Sequence, residues 1–439
     1  MKTLIENGTL VTPDGLRKGN LLIEDEKIAA IFFGSSDSPN GGTGDIDVFD
    51  ASGLLVSPGL IDLHCHLREP GFEYKEDIAS GMRAAAHGGF TSVCCMANTH
   101  PVNDTAAVTE FIKMKARREC EKTAVRVYPI GAATKGLKGE ELTEMGELKE
   151  AGIVAVSDDG KSVVKAGRMR LVLSYARHFG LPVITHPEDL DLVGGGVMNE
   201  GYWSTVFGMP GTTRTAEESI IARDCMLAEL ESAHLHVAHV STAGGADVVR
   251  WFKARGARVT AETAPHYLYA TDAWVGGADG LSYDVNTRVN PPLRTEKDTQ
   301  ALIEALKDGT IDCIATDHAP HHADDKNVEF ALAASGISGF ETALGVCWTA
   351  LVVPGHMTPE QMLRKMTRDP ARVFALPGGS LETGAPADVA LIDPAGEWIV
   401  DVAEFFSKGK NNPFHGKKLT GKVVATYVGG KCVYRGSRP

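Results

Sequence analysis

Two histidines one residue apart, His64 and His66, close the apolar run Gly59-Leu60-Ile61-Asp62-Leu63. If that run is a β-strand, residues i and i+2 face the same side, so both imidazoles can converge on one ion. Neutral imidazole suits zinc and related divalent metals. Alone, a His-x-His pair is equally compatible with two packed surface histidines. Other apolar runs end in the same manner, however, in Ser157-Asp158-Asp159-Gly160, Thr185-His186-Pro187-Glu188, Ala238-His239-Val240-Ser241 and Ala315-Thr316-Asp317-His318-Ala319-Pro320-His321. One such end is an ordinary loop or core residue; five are hard to explain by packing. Gathered into one bowl, His64, His66, Asp159, His186, His239 and Asp317 would suffice for one or two metal ions. Asp158 is expected to orient its neighbour or cap a loop. His266, in Ala264-Pro265-His266-Tyr267, is expected to support or pack.

Residues at strand ends need a scaffold that aims them at one point. Eight β-prone segments recur through the middle of the chain: Gly59–His64, Thr91–Met96, Arg126–Gly131, Ile153–Ser157, Pro182–Thr185, His234–Ala238, Arg258–Ala261 and Asp312–Thr316. Helical patterns separate several of them. Val108, Phe111 and Ile112 keep helical spacing after Asp104, a candidate N-cap; Met169, Leu173 and Ala176 do so before Gly180, a natural stop. This alternation predicts a (β/α)₈ barrel, whose active site lies where strands end and loops begin. A doubly wound open sheet is the competing architecture. Both chain ends are β-rich. Asn7-Gly8 and Asp14-Gly15 read as turn signals between runs such as Leu21-Leu22-Ile23 and Ile28–Phe32, 34–46 as a loop, and Val423–Val428, Gly429-Gly430, Lys431–Tyr434 as a hairpin. Residues 1–56 with 378–439 are therefore expected to form one small β-sandwich domain, attached to a barrel over 57–377.

Composition narrows the classes further. The 439 residues carry 44 Lys+Arg against 57 Asp+Glu, a net −13, which argues against sequence-independent nucleic-acid binding. No apolar run approaches the ~18–20 residues of a membrane span, and the start Met1–Gly8 lacks a signal-peptide core, so a cytoplasmic enzyme is expected. The 8 cysteines form no C-x-x-C pair. Gly160-Lys161-Ser162 fails as a phosphate loop because Ala155 stands where a glycine is required, and neither G-x-S-x-G nor H-E-x-x-H occurs.

The run Asp62-Leu63-His64-Cys65-His66-Leu67-Arg68-Glu69-Pro70-Gly71 resembles the first signature of dihydroorotases in the amidohydrolase superfamily. Asp317–His321, with Lys326 after it, resembles the second. Met96-Ala97-Asn98-Thr99, Pro101-Val102-Asn103-Asp104 and Asn290-Pro291-Pro292-Leu293-Arg294 match in the expected order. The resemblance spans the chain and is to the long bacterial type. It implies reversible closure of N-carbamoyl-L-aspartate to L-dihydroorotate with one or two Zn2+ ions per subunit, in pyrimidine synthesis. It also implies a homodimer and an aspartate transcarbamoylase complex. Carried over residue by residue, His64, His66 and Asp317 hold one metal and His186 and His239 the second. Asp159, 27 residues before His186, stands where some relatives bridge with aspartate and others with a carboxylated lysine. Asp317 is the catalytic proton carrier. His66, Arg68, Asn98, Asn290, His321, Ser335 and Gly336 bind substrate, Arg68 as a bidentate carboxylate partner. Ser335 replaces a phenylalanine usual in Phe-Gly-Ile-x-Gly, which puts an aromatic wall of the pocket in doubt. The rival readings are a hydantoinase- or allantoinase-like hydrolase, which Arg68 disfavours, and a non-catalytic scaffold for the transcarbamoylase, which would have lost metal ligands.

Overall fold

Each of the eight apolar runs forms a short strand, and all are parallel: Leu60–Cys65, Phe90–Cys95, Arg126–Pro129, Val156–Ser157, Val183–Thr185, Leu235–Val237, Val259–Thr263 and Cys313–Ile314. Strands covered on both faces can be apolar throughout, and the first two are buried at every position. The first three pair in chain order, as do the last five. Bridges between Gly131 and Val156, and between Cys65 and His318, join the two groups at both seams. The sheet is a closed ring, which removes the open-sheet alternative. Outside it stand the helices Ile78–His87, Ala106–Thr123, Met145–Ala151, Ala166–His178, Thr215–Glu231, Ala243–Ala254, Glu296–Asp308 and Phe340–Cys347, one after each strand. This computed structural model describes residues 2–34 and 46–436.

Two local expectations are corrected. Asp104 does not cap a helix: Ala106–Thr123 begins from Thr105, and the Asp104 carboxylate accepts the Gly136 N–H at 2.8 Å instead. Asn7-Gly8 is not a turn. The strand Lys2–Thr12 runs through it, with a register shift between Ile5 and Gly8 and Asn7 at φ 59°, so the left-handed residue makes a bulge. The Ala166–His178 helix buries Met169, Leu173 and Ala176 as its spacing predicts. The loop expected over 34–46 lies, apart from its two end residues, outside the described residues.

Strands from both ends of the chain share one eight-stranded sheet, ordered Lys431–Arg435, Lys418–Val428, Val389–Ile399, Leu55–Pro58, Lys2–Thr12, Gly15–Glu24, Lys27–Phe33, with Ile46–Asp50 beside Lys2–Thr12. Ile5, Leu10, Leu21, Ile23, Ile28, Val56, Val389, Leu391 and Tyr427 form its own core. Beyond the strand Val389–Ile399, residues 405–412 reach the barrel mouth. There the Glu341 carboxylate accepts Phe406 N–H at 2.7 Å, and Glu76 accepts the Ser407 hydroxyl. Among the described residues no helix is long and apolar enough to cross a membrane.

Candidate active site

The ring brings His64, His66, Asp159, His186, His239 and Asp317 to one end, all buried. Asp159 is the hub. Its Oδ1 lies 3.3 Å from His64 Nε2, 3.5 Å from His186 Nδ1 and 3.7 Å from His239 Nε2, while Oδ2 is 3.5 Å from His66 Nε2. Asp317 Oδ1 stands 3.2 Å from His66 Nε2 and 3.5 Å from His64 Nε2. His186 Nδ1 and His239 Nε2 are 2.9 Å apart. Two overlapping donor sets result, His64–His66–Asp317 and His64–Asp159–His239.

These donors fit a divalent cation. His64 Nε2 and Asp159 Oδ1 are buried without a hydrogen-bond partner among the described residues, an expensive arrangement unless an ion takes their lone pairs. The electrostatics agree. Burial opposes charge on every group here. Even so, Asp159 lies well below the usual carboxylate range under the influence of His64, His186 and His239, and Asp317 is held down by His66, His64 and His239. Against the same burial, Asp159 and Glu262 lift His64 well above its ordinary value, and Asp159 and Glu188 raise His186 to about 10. The cluster concentrates negative charge on its carboxylates and draws protons to its imidazoles. A metal ion would supply that positive charge in their place.

Partners outside the cluster hold His64, His186 and His66. His64 Nδ1 lies 2.7 Å from Glu262 Oε1, and His186 Nε2 lies 3.4 Å from Glu188 Oε2. Asp158 takes the backbone N–H groups of Ala133 and Thr134, both at 2.9 Å, and so caps a loop as expected. Asn98 and Asn290 touch ligands: Asn98 Oδ1 lies 2.9 Å from His66 Nδ1, and Asn290 Nδ2 lies 3.4 Å from His186 Nε2. His266 is buried against Tyr267 with Nε2 unpartnered among the described residues, and burial lowers its pKa to about 4.

Beside this cluster lies a cationic wall. Arg68, with a positive φ of 63°, donates Nε–H to Pro320 O at 3.2 Å and places Nη2 3.3 Å from His321 Nε2. His321 Nε2 meets Ser335 O at 2.9 Å, and Lys75 Nζ stands 3.4 Å from its Nδ1. Burial, then Arg68, Lys75 and Lys326, push His321 down to about 2, so it is neutral. Gly336, at φ +145°, packs so closely that an added Cβ would meet Ala319 O at 2.6 Å. Lys161 is exposed on the loop after Asp159.

Sequence reasoning missed Glu262, Glu188 and Asn411. Glu262 could have been found by alternation inside the seventh strand; Glu188 sits two residues after His186. Asn411 lies in a segment with no chemical signature of its own.

A family model described as "Dihydro-orotase-like" matches residues 53–244, and one described as "Amidohydrolase family" matches 237–434. The chain is 52% identical to the dihydroorotase of Acetivibrio thermocellus, covering 98% of this chain and 99% of that one. It is 53% identical to the dihydroorotase of Pelotomaculum thermopropionicum over 99% and 98%. Among solved structures, the L-hydantoinase (dihydropyrimidinase) from Arthrobacter aurescens superposes with a TM-score of 0.86 at 26% identity, covering 99% and 96%.

Proposed function

The chain belongs to the dihydroorotase family, and from that premise we propose that it interconverts L-dihydroorotate and N-carbamoyl-L-aspartate as a step of pyrimidine synthesis. The observation that carries the substrate reading is the juxtaposition of the metal-fitting cluster with the Arg68 guanidinium. One end handles a ring amide and the other a carboxylate. Arg68 also weighs against the hydantoinase-like alternative, and the complete set of six ligands against a scaffold without activity.

His64, His66 and Asp317 would hold one ion, and His186 and His239 a second, with Asp159 between them. When bound, such ions polarise a carbonyl and lower the pKa of a water toward ~7. In the hydrolytic direction water adds to the ring amide carbonyl. A new C–O bond forms and the ring C–N bond breaks. Asp317, ionised in this setting, accepts the water's proton on a carboxylate oxygen and delivers it to the departing nitrogen. Arg68 grips the substrate carboxylate, with His321 and the Ser335-Gly336 backbone around it. Because those contacts use backbone at 335–336, a serine in place of an aromatic residue leaves them intact.

Asp159 is the bridging group in this reading. Four imidazoles surround it, whereas Lys161 is exposed. A carboxylate this short favours the first ion, and the one at His186/His239 should be lost more readily. Anomalous diffraction after partial chelation tests this; a carboxylated Lys161 between two ions would overturn it. Zinc, a homodimer and an aspartate transcarbamoylase partner follow from the family reading, and we divide the chain into a β-sandwich built from residues 1–56 with 378–439 and a barrel over 57–377. The direct test is dihydroorotate hydrolysis with measured metal content, set against hydantoin and allantoin. Preference for either of those would defeat the assignment.

A further inference from the structure

Three separate stretches of chain meet at the carboxylate end of the pocket, and one amide ties them together. Asn411, buried, accepts the His321 backbone N–H on Oδ1 at 2.9 Å. Its Nδ2 donates to Ala319 O at 3.1 Å and to Gly336 O at 2.9 Å, while its backbone carbonyl accepts Ser338 N–H at 2.9 Å. The side chain therefore spans both loops that bear His321, Ser335 and Gly336. A parallel bridge between His318 and Ile337, with Ala319 N–H donating to Ile337 O at 2.8 Å, joins the two loops just before this point; at His321, Ser335 and Gly336 themselves no regular element braces them. The approach is close on every side: a Cβ on Gly409 would lie 2.6 Å from Pro320 Cβ and 2.8 Å from Asn411 Oδ1. The Ala319–His321 turn also supplies Pro320 O, which receives Arg68 Nε–H. A shift of that turn would move the guanidinium and His321 together. His321 and Asn411 also share the wall of a cavity of about 980 Å³, with Lys326 and Tyr283 among its other lining residues.

We propose that Asn411, delivered to the barrel mouth by the C-terminal arm, is a positioning residue for the carboxylate-binding end of the pocket. It makes no bond to His64, His66, Asp159, His186, His239 or Asp317, so its effect falls on substrate binding. The inference rests on the dihydroorotase reading. The arm itself is anchored upstream, at Glu341 and Glu76, and stays in place when Asn411 is altered.

Asn412 is the matched control. It is equally buried, but its Nδ2 donates to Ser338 O and Thr342 Oγ1, both at 3.0 Å, and its Oδ1 accepts Phe414 N–H, tying the arm to the helix Phe340–Cys347. Asn411→Ala should raise KM for dihydroorotate by about tenfold or more, as loss of several buried hydrogen bonds implies, with kcat within about threefold and metal content unchanged. Asn412→Ala should lower Tm and leave KM within about twofold. Asn411→Asp keeps the side chain's size and the acceptor for His321 N–H while deleting both donors. It should also raise KM, and serves if the alanine variant is not recovered folded. Equal KM changes at 411 and 412, an unchanged KM in either Asn411 variant, or parallel loss of metal would overturn the proposal. An unmodified chain that fails to turn over dihydroorotate would instead defeat the functional reading beneath it.

Discussion

Replacing Glu262 by Gln should loosen the metal site without altering a ligand. His64 turns Nε2 toward the cluster and Nδ1 toward Glu262 Oε1, at 2.7 Å. The other carboxylate oxygen lies 3.1 Å from His236 Nε2. Burial opposes charge on Glu262, but hydrogen bonds from His236 and His64 hold it at about 2, so it is a carboxylate at any working pH. A carboxylate on the far N–H makes the ligating nitrogen more basic and fixes the tautomer and ring plane. Glutamine is nearly isosteric. Its oxygen can still accept from His64 Nδ1–H, while its NH₂ faces His236 Nε2. His236 can become the acceptor there by shifting its proton to Nδ1, where Thr260 Oγ1 waits at 2.9 Å. Packing and hydrogen bonding survive, and the charge alone is removed. Groups in this position are worth about 10–100-fold in metal affinity, or ~1.4–2.7 kcal/mol. Glu262→Leu would in addition strand two buried imidazole N–H groups, at about 1–3 kcal/mol each, and should lower the stability of the metal-free protein too. The assay is zinc titration of chelator-stripped protein against a chromophoric competitor, with apo-protein Tm measured in parallel. Wild-type affinity in the Gln variant would refute the argument.

Arg68→Met should cripple dihydroorotate turnover, with metal content near normal; metal loss in that variant would mean that Arg68 supports the ligands instead of gripping a carboxylate. Asp317→Asn should lower kcat by at least about 10²–10⁴-fold while His64 and His66 retain some metal; near-normal activity would remove Asp317 as proton carrier. His234, beside Thr260 on the barrel, is held down to about 4 by burial, His236 and Arg258. The unfolded chain therefore binds the extra proton between pH 6.5 and 4, and His234 withdraws stability as pH falls through that window. His234→Gln should gain about 2–3 kcal/mol relative to wild type on going from pH 7 to pH 4. Urea melts across that range check it, and a pH-independent difference would show that His234 is not buried neutral.

The barrel and the clustering of residues at its strand ends were legible because two features coincide. Apolar runs mark the strands, and the residue that ends each run must face the same bowl, so His64, His186, His239 and Asp317 could be placed without knowing a single distance. Alternation alone would have gone too far. Asp62 shares the parity of His64 and His66, yet its oxygens are taken by Thr316 N–H at 2.7 Å and Thr316 Oγ1 at 2.8 Å, and burial pushes its pKa up to about 8. It latches the first strand to the eighth. Asp104 misled for a similar reason: a carboxylate near a helix start caps only if its turn leaves it free, and here Gly136 claims it. Asn411 was illegible because its segment carries no chemical signature and its partner His321 lies 90 residues away; Glu262 has the right alternation in its strand, but nothing local marks it as the partner of His64, 198 residues away.

What composition and spacing also hide is backbone conformation at the site. Arg68, His239 and Asp317 all hold positive φ, at 63°, 35° and 46°. None of the three is a glycine, and none is among the asparagines and aspartates for which this region is easy except Asp317. A residue held this way costs on the order of 1–3 kcal/mol and persists only where its surroundings fix it. The surroundings are on hand. Pro320 O holds the Arg68 side chain, His318 O accepts His66 N–H at 2.8 Å just before it, and Glu217 takes Ser241 N–H at 2.9 Å just after His239. At Arg68, His239 and Asp317, each two or three residues past the end of its strand, the backbone enters the left-handed region instead of continuing the pleat. Glycine would relax the turn and remove the side chain, so under the proposed function the strain at these three positions is the cost of setting a ligand, a proton carrier and a carboxylate fork around one small volume.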